Sequence, residues 1–386
     1  MQQLRQGSGR GGLLLLLLAL TRHGGAAAGL VHGHRQAALR GRRHPAASTL
    51  AAWLPELDGR AANLSEKAWK AGECAAIAQQ ICAGAAPRPR LQALHTGAFL
   101  REFERHGDAA VAARKLRLGV LSFLATQDLA RTKLHIWTDV GLDEPSGVLK
   151  GALEPILSLP RLAESVRLRR FDARREFGKV SPESGELLWK IYSAEDRQPA
   201  SRSDLQRIAV LYNYGGLWLD TDVVLIQDMT PLMGVDWAYL GQTDLINGAL
   251  LSVSKPRSLF ATAYISALVS QDVTPGPDMG YFRHGPKILD ALFKEEWTRR
   301  SFHVLPTCFF DGGWSGETGA TPWRFFFGRP LDGGHTDELD YFYPGNDQRT
   351  AFAYHWHGHW DEPIVNGSMA YALERVYLWK LGLKGP

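Results

Sequence analysis

The stretch from Ser203 to Leu225 constrains this chain more than any other. Leu205, Ile208, Ala209 and Tyr212 recur at i, i+3, i+4 and i+7, which places them on one buried face of a helix. Ser203 is the residue type that caps a helix start. Asp204 and Arg207 sit three apart and meet on another face. Gly215-Gly216 ends the helix and turns the chain into an apolar strand. Period-two alternation sets Leu217, Leu219 and Thr221 on one face of that strand. It sets Trp218, Asp220 and Asp222 on the other.

Those two acids set the chemistry. Carboxylates this close repel one another, and an apolar strand solvates them poorly. A divalent cation relieves both problems, because Mg²⁺ and Mn²⁺ take carboxylate and phosphate oxygens. The carboxyl end of a sheet strand is also where open α/β folds bind ligands. A metal held by Asp220 and Asp222 would bridge the phosphates of a nucleotide and neutralise a leaving diphosphate. Asp-x-Asp alone is common among surface acids. The helix with Asp204 and Arg207, the Gly-Gly break and the aromatic before it make this instance specific. One competing reading is a phosphatase of the haloacid-dehalogenase type with Asp220 as nucleophile, although a long α/β pattern precedes the motif.

The rest of the chain is consistent with one sizeable core, since 45% of its 386 residues are apolar. A net charge of +4 without a dense basic stripe gives no indication of nucleic acid. Residues 1–28 read as a signal peptide or short signal anchor. Arg5 and Arg10 precede the apolar run Leu13 to Leu20, and small residues follow at 24–28. The run is far short of the ~20 residues a spanning helix needs. Residues 29–115 read as a loosely ordered stem and an N-terminal helical region, with helices over 64–83 and 98–116. Asn63-Leu64-Ser65 and Asn366-Gly367-Ser368 are glycosylation sequons, in keeping with a secretory route. Cys74, Cys82 and Cys308 read as buried apolar residues, because Cys74 and Cys82 on one helix lie too far apart to pair. Further strands are expected at 133–139, 166–171, 236–241 and 249–254, and helices at 256–269 and 285–298. Strands alternating with helices indicate an α/β fold with covered sheet faces.

The pattern Ser203-Asp204…Arg207, then Gly215-Gly216-Leu217-Trp218-Leu219-Asp220-Thr221-Asp222, resembles the DXD-motif sugar-transferase family. That family includes initiating mannosyltransferases, α1,4-galactosyltransferases and capsular polysaccharide synthesis enzymes. Trp218 stands where the family usually has Tyr. The resemblance covers roughly 116–362, so residues 116–386 read as a glycosyltransferase catalytic domain. It implies a GT-A-like nucleotide-sugar-binding domain, α/β in class, with a mostly parallel sheet flanked by helices. Trp137 looks like the aromatic at the end of the first strand that stacks on the base. Asn247-Gly248 looks like the loop near donor sugar and acceptor, and Gly285-Pro286 like the turn that opens a helix beside the donor. The segment His355-Trp356-His357-Gly358-His359-Trp360 resembles the terminal element that closes over metal and diphosphate. His359 replaces the usual Ser there. Alternation would place the three histidines on one strand face, with His355 the metal ligand.

The resemblance thus implies a hexosyltransferase that uses Mn²⁺ (or Mg²⁺), a UDP- or GDP-sugar donor and a glycan or glycolipid acceptor, with retention of anomeric configuration. Asp204, Arg207, Asp220 and Asp222 carry its catalytic roles. Trp137, Trp218, Asn247, Gly285 and Trp360 contact the donor. Asp222, Asp220 and His355 hold the metal. No nucleic-acid partner is implied, membrane association would run through the N-terminus, and the expected compartment is the Golgi lumen. A non-catalytic sugar-binding module of transferase descent is the remaining alternative.

Overall fold

Helix α1 (Leu50–Ala62) and helix α2 (Glu73–Gly84) precede strand β1 (Gln92–Ala98) and the long helix α3 (Ala109–Thr126). Strand β2 (Thr132–Thr138), helix α4 (Gly147–Leu157) and strand β3 (Val166–Arg170) follow. Helices α5 (Ala173–Gly178), α6 (Pro182–Ala194) and α7 (Pro199–Tyr214) then lead into β4 (Gly216–Leu219), β5 (Val223–Leu225), β6 (Asp236–Leu240) and β7 (Ile246–Val253). The last elements are α8 (Leu259–Ser270), α9 (Pro286–Lys294), β8 (Phe302–Leu305), β9 (Ala353–His355) and α10 (Met369–Lys380). The computed structural model describes residues 50–62, 73–84, 92–98, 108–139, 147–194, 199–241, 245–270, 283–311, 326–328 and 351–384. All of these belong to the unit Ala47–Pro386. The leader at 1–28 and the sequon residue Asn63 lie outside them.

Seven strands form one sheet in the order β3-β2-β1-β4-β7-β6-β8. The four strands β3, β2, β1 and β4 are mutually parallel, and β7 is antiparallel to both its neighbours. The fold is therefore α/β with a mostly parallel sheet flanked by helices, as expected. Alternation along β4 divides its side chains between two apolar cores. Leu217 and Leu219 join the core with α3, α4 and α10, and Trp218 joins the core with α7, α8 and α9. A separate antiparallel pair, β5 with β9, sits just beyond the motif acids.

Several local expectations change. Residues 92–98 form β1, at the centre of the parallel half of the sheet, so the strand expected to be first is second. The boundary set at 116 falls inside α3, whose apolar Leu118-to-Leu124 run is helix buried almost all round. Residues 50–60, read as stem, are helical, with Leu50, Trp53, Leu54 and Leu57 buried. The Asp58 carboxylate accepts from the Val304 N–H at 3.0 Å and pairs with His303 at 2.8 Å, so α1 is pinned to β8. Helix α7 starts at Pro199, which puts Ser203 inside the helix rather than at its cap.

The cysteine reading is corrected too. Cys74 of α2 is bonded to Cys308 in the turn after β8, with Cα atoms 6.4 Å apart and 234 residues between them. Cys74 and Cys82 do share helix α2, whose geometry keeps them from pairing with each other. Closing so long a loop constrains the unfolded chain, so Cys308→Ser is expected to cost ~2–4 kcal/mol. Urea unfolding of the two proteins, with and without reductant, checks this. Reductant should abolish the difference between them.

Candidate active site

The carboxyl end of β4 carries Asp220, and the tight turn after it carries Asp222. Gly215 and Gly216 make the preceding entry possible, at φ of 66° and 99°. A side chain on Gly216 would run into the Ala93 carbonyl of β1, so the close approach of β4 to β1 requires glycine. Asp220 and Asp222 part company at once. Asp220 accepts from the Arg207 guanidinium through both oxygens, at 2.7 and 2.8 Å, and from the Trp218 indole N–H at 2.6 Å. Arg207 also donates to Asp204 at 2.7 Å. One buried guanidinium thus serves two carboxylates from α7 and β4. Burial opposes the Arg207 charge, and Asp220 and Asp204 together outweigh it, so its pKa is raised. Burial also raises Asp204 to about 7 and Asp220 in the same direction, with Arg207 pulling both back.

Two glycines make room for this pair. A Cβ on Gly248 would lie 2.5 Å from an Arg207 nitrogen, and one on Gly285 would lie 2.5 Å from an Asp204 oxygen. Gly285 therefore shapes the site through Asp204, while its neighbour Pro286 lines the cleft.

Asp222 faces the other way, toward the C-terminal segment. Its Oδ2 accepts from the Gly358 N–H at 2.7 Å and lies 3.2 Å from His355 Nε2. Burial alone would raise Asp222, but His355, His357 and the Gly358 N–H hold it at about 2. His355 is raised to about 9: burial works against its charge, and Asp222 overcomes that. His355 Nδ1 meets the Tyr239 hydroxyl at 2.7 Å, and that hydroxyl donates to Asp311 at 3.3 Å. Asp311 also pairs with His357 Nε2 at 2.8 Å. Asp311, His355 and His357 present ligand atoms within 4.8 Å of one another. Oxygen and imidazole donors suit Mn²⁺ and its neighbours. The 3.2 Å between Asp222 Oδ2 and His355 Nε2 matches two adjacent ligands that each sit ~2.1 Å from one ion. The residues present therefore fit a divalent cation.

Sequence reasoning missed Asp311, a single acid with no motif around it. Its position comes from pairing: Phe310 O accepts from the His355 N–H at 3.0 Å. The expected single face for three histidines does not form. Strand β9 ends at His355, and His357, Gly358 and His359 take φ of 55°, 88° and 25°. His357 thereby turns toward Asp311, and His359 does not line the cleft.

A cleft of about 260 Å³ joins the two halves of the site. Asp204, Arg207, Asp220, Asp222, Asn247 and His355 all line it, together with His357 and Gly248. Asn247 also fixes its own turn, accepting from the Ala249 N–H at 2.8 Å. Besides Gly285, three expected contacts do not line it. Trp218 is fully buried beneath Asp220. Trp360 packs edge-on against Trp356. Trp137 is 2% exposed, sits among Phe171 and Tyr214, and donates its indole N–H to His95 at 3.2 Å. Its ring is covered by Tyr214, Phe171 and the Arg169 guanidinium packed around it. Trp137→Phe is accordingly expected to cost ~1–3 kcal/mol by leaving the buried His95 nitrogen unpaired. Donor affinity should change less than twofold. Thermal unfolding beside a donor titration checks both.

Residues 172–238 match the family described as glycosyltransferase sugar-binding region containing DXD motif. The matched residues include Asp204, Arg207, Asp220 and Asp222, and the sheet of the chain is mostly parallel and flanked by helices, as the resemblance implied. Over 110 residues it is 27% identical to mouse lactosylceramide 4-alpha-galactosyltransferase, covering 28% of each chain. Over 107 residues it is 30% identical to the rat protein of that name, covering 27% of this chain and 26% of that one. The match thus spans about a quarter of the length of these curated relatives. Solved structures superpose loosely. Mouse xyloside xylosyltransferase 1 has a TM-score of 0.40 at 13% identity, covering 70% of this chain and 99% of that one. The PaToxG glycosyltransferase has a TM-score of 0.39 at 16% identity, covering 58% and 76%.

Proposed function

We propose that this chain is a metal-dependent hexosyltransferase that moves a sugar from a nucleotide-sugar donor to a hydroxyl of a glycan or glycolipid. The observation that carries the reading is the divided pair of motif acids on one cleft, with Asp220 held by Arg207 and Asp222 set against His355. A phosphatase reading, in which Asp220 attacks, fits poorly, because both Asp220 oxygens are engaged by Arg207.

Asp222, His355, His357 and Asp311 would hold the cation, with Asp220 set back as the partner of Arg207. A bound Mn²⁺ or Mg²⁺ would supply charge neutralisation for the donor diphosphate. Asp204 and Arg207 face the same cleft and would bind and orient sugar hydroxyls. Asn247, which lines the same cleft, would limit where the acceptor enters. The bond between the anomeric carbon and the phosphate oxygen breaks, and its electrons leave with the nucleoside diphosphate. The acceptor oxygen forms the new glycosidic bond and gives up its proton. Retention of configuration is carried over from the family resemblance.

The secretory route is supported by the Cys74–Cys308 disulfide, which suits an oxidising compartment, and we place the protein in the Golgi lumen. Among the described residues no helix is long and apolar enough to cross a membrane. Asn366 is exposed beside the cap of α10, so N-glycan is expected there. Mass spectrometry of protein from its native host should show it, and bare Asn366 would count against the route. The catalytic reading is tested by donor hydrolysis across UDP- and GDP-sugars, with Mn²⁺ and with chelator. Slow release of nucleoside diphosphate that stops on chelation is expected. No release from any donor would leave only a binding module.

A further inference from the structure

Lys115, in the first half of α3, has no exposed surface. Its ammonium donates to the backbone carbonyl of His359 and lies 3.7 Å from the centroid of the Phe327 ring. Filling this space with a Leu or Met would avoid desolvating a charge. A lysine here is therefore best understood through what its head group holds.

It holds the far end of the turn after β9. The near end is fixed by the Trp356 N–H, which donates to the Asp222 backbone carbonyl at 3.0 Å. Between these anchors His357, Gly358 and His359 are all left-handed. Residues with side chains pay ~1–2 kcal/mol each for that conformation, so it persists only where the surroundings impose it. The turn aims the Gly358 N–H at the Asp222 carboxylate and the His357 ring at Asp311. Without it, the chain would continue extended and carry both groups away.

We propose that Lys115 is a positioning residue for the cation site, locking the turn at 357–359 so that Asp222, His355 and His357 converge. This rests on the reading that those side chains hold a divalent cation. It adds a residue from α3, remote in sequence from both the motif and the histidines, that sets the geometry of the site without touching any ligand.

The test is Mn²⁺ binding in the absence of donor, followed by the electron paramagnetic resonance of the free ion. It is run on the full chain and on Lys115→Met and Gly358→Ala. Met keeps the apolar stem and removes the donor. A Cβ at Gly358 meets nothing within 4 Å, so alanine there acts on the left-handed backbone alone. Both variants are expected to lose Mn²⁺ affinity by at least ~10-fold, the scale of a lost supporting contact around a metal. Should Lys115→Met not fold, Gly358→Ala carries the test, because the proposal requires the turn. Wild-type affinity in either folded variant overturns the proposal while leaving the metal reading intact. A wild-type chain that binds no Mn²⁺ overturns both.

Discussion

Asp222→Asn is expected to fold and to lose turnover by at least ~10²-fold, the scale of a lost transition-state charge stabiliser. Asparagine keeps the side chain's size, so no cavity opens. It removes the negative charge against which His355 and the Gly358 N–H are set. The dependence of donor affinity on Mn²⁺ should largely disappear as well. The same change predicts a pH signature in metal-free protein. His355 is raised to about 9, so its contribution is complete below ~6.5 and lost as pH rises through 9. Asp222 is lowered to about 2, so its contribution is complete above ~3.9 and lost as pH falls through 2. The stability deficit of Asp222→Asn should therefore be greatest between these limits and shrink on either side. Donor hydrolysis under a Mn²⁺ titration, with unfolding followed from pH 3 to 10, tests both parts. Undiminished metal-stimulated activity would sink the mechanism.

Arg207→Met should be more damaging to the fold. Arg207 is 4% exposed and is ion-paired with Asp204 and Asp220. Methionine fills much of the volume but leaves two buried carboxylates with no cation between them. Breaking a buried pair from one side costs ~3–5 kcal/mol. The orphaned acids will take up protons on folding, so the deficit should shrink as pH falls from 7 toward 4. Asp204 is raised by burial to about 7 even with Arg207 pulling it down, so without the guanidinium the upper end of that window lies above 7. Urea unfolding at several pH values reads the effect. Arg207→Lys should recover only part of the loss, because a single ammonium cannot bond Asp220 through both oxygens while also reaching Asp204. A cost under ~1 kcal/mol for Arg207→Met at pH 7 would show that the pair is solvated rather than buried.

The Asp204–Arg207–Asp220 half of the arrangement was legible because every element in it is local, whereas Asp222 takes its partners from His355 and Gly358 far along the chain. Helical period, a glycine pair and strand alternation each act over a few residues, and together they bring three side chains to one end of β4. Strand β1 was not legible. Its Leu94-His95-Thr96-Gly97-Ala98 is covered on both faces, so it shows no alternation, and Gly and Ala have little strand preference of their own. No element was expected over 92–97, and the helix expected over 98–116 overlaps β1 only at Ala98. Trp137 does stand near the carboxyl end of β2, but Phe171, Tyr214 and His95, which pack around it, come from elsewhere in the chain and could not be read from its own segment. Asp311 and Lys115 were invisible for a different reason. Each acquires its role from a partner far along the chain, and nothing adjacent marks it. In the histidine tract the strand ends at His355, and alternation holds only while the backbone stays extended, so the single face expected for three histidines does not form.

The reliance of Asp222 on residues 133 and 136 positions later has a bearing on synthesis. A ribosome delivers the motif acids early, with β5 still lacking β9 as its partner. Until His355 and Gly358 emerge, Asp222 has neither that imidazole nor that backbone amide opposite it. A nascent or prematurely terminated chain can thus assemble the guanidinium half of the site without the half that would bind metal.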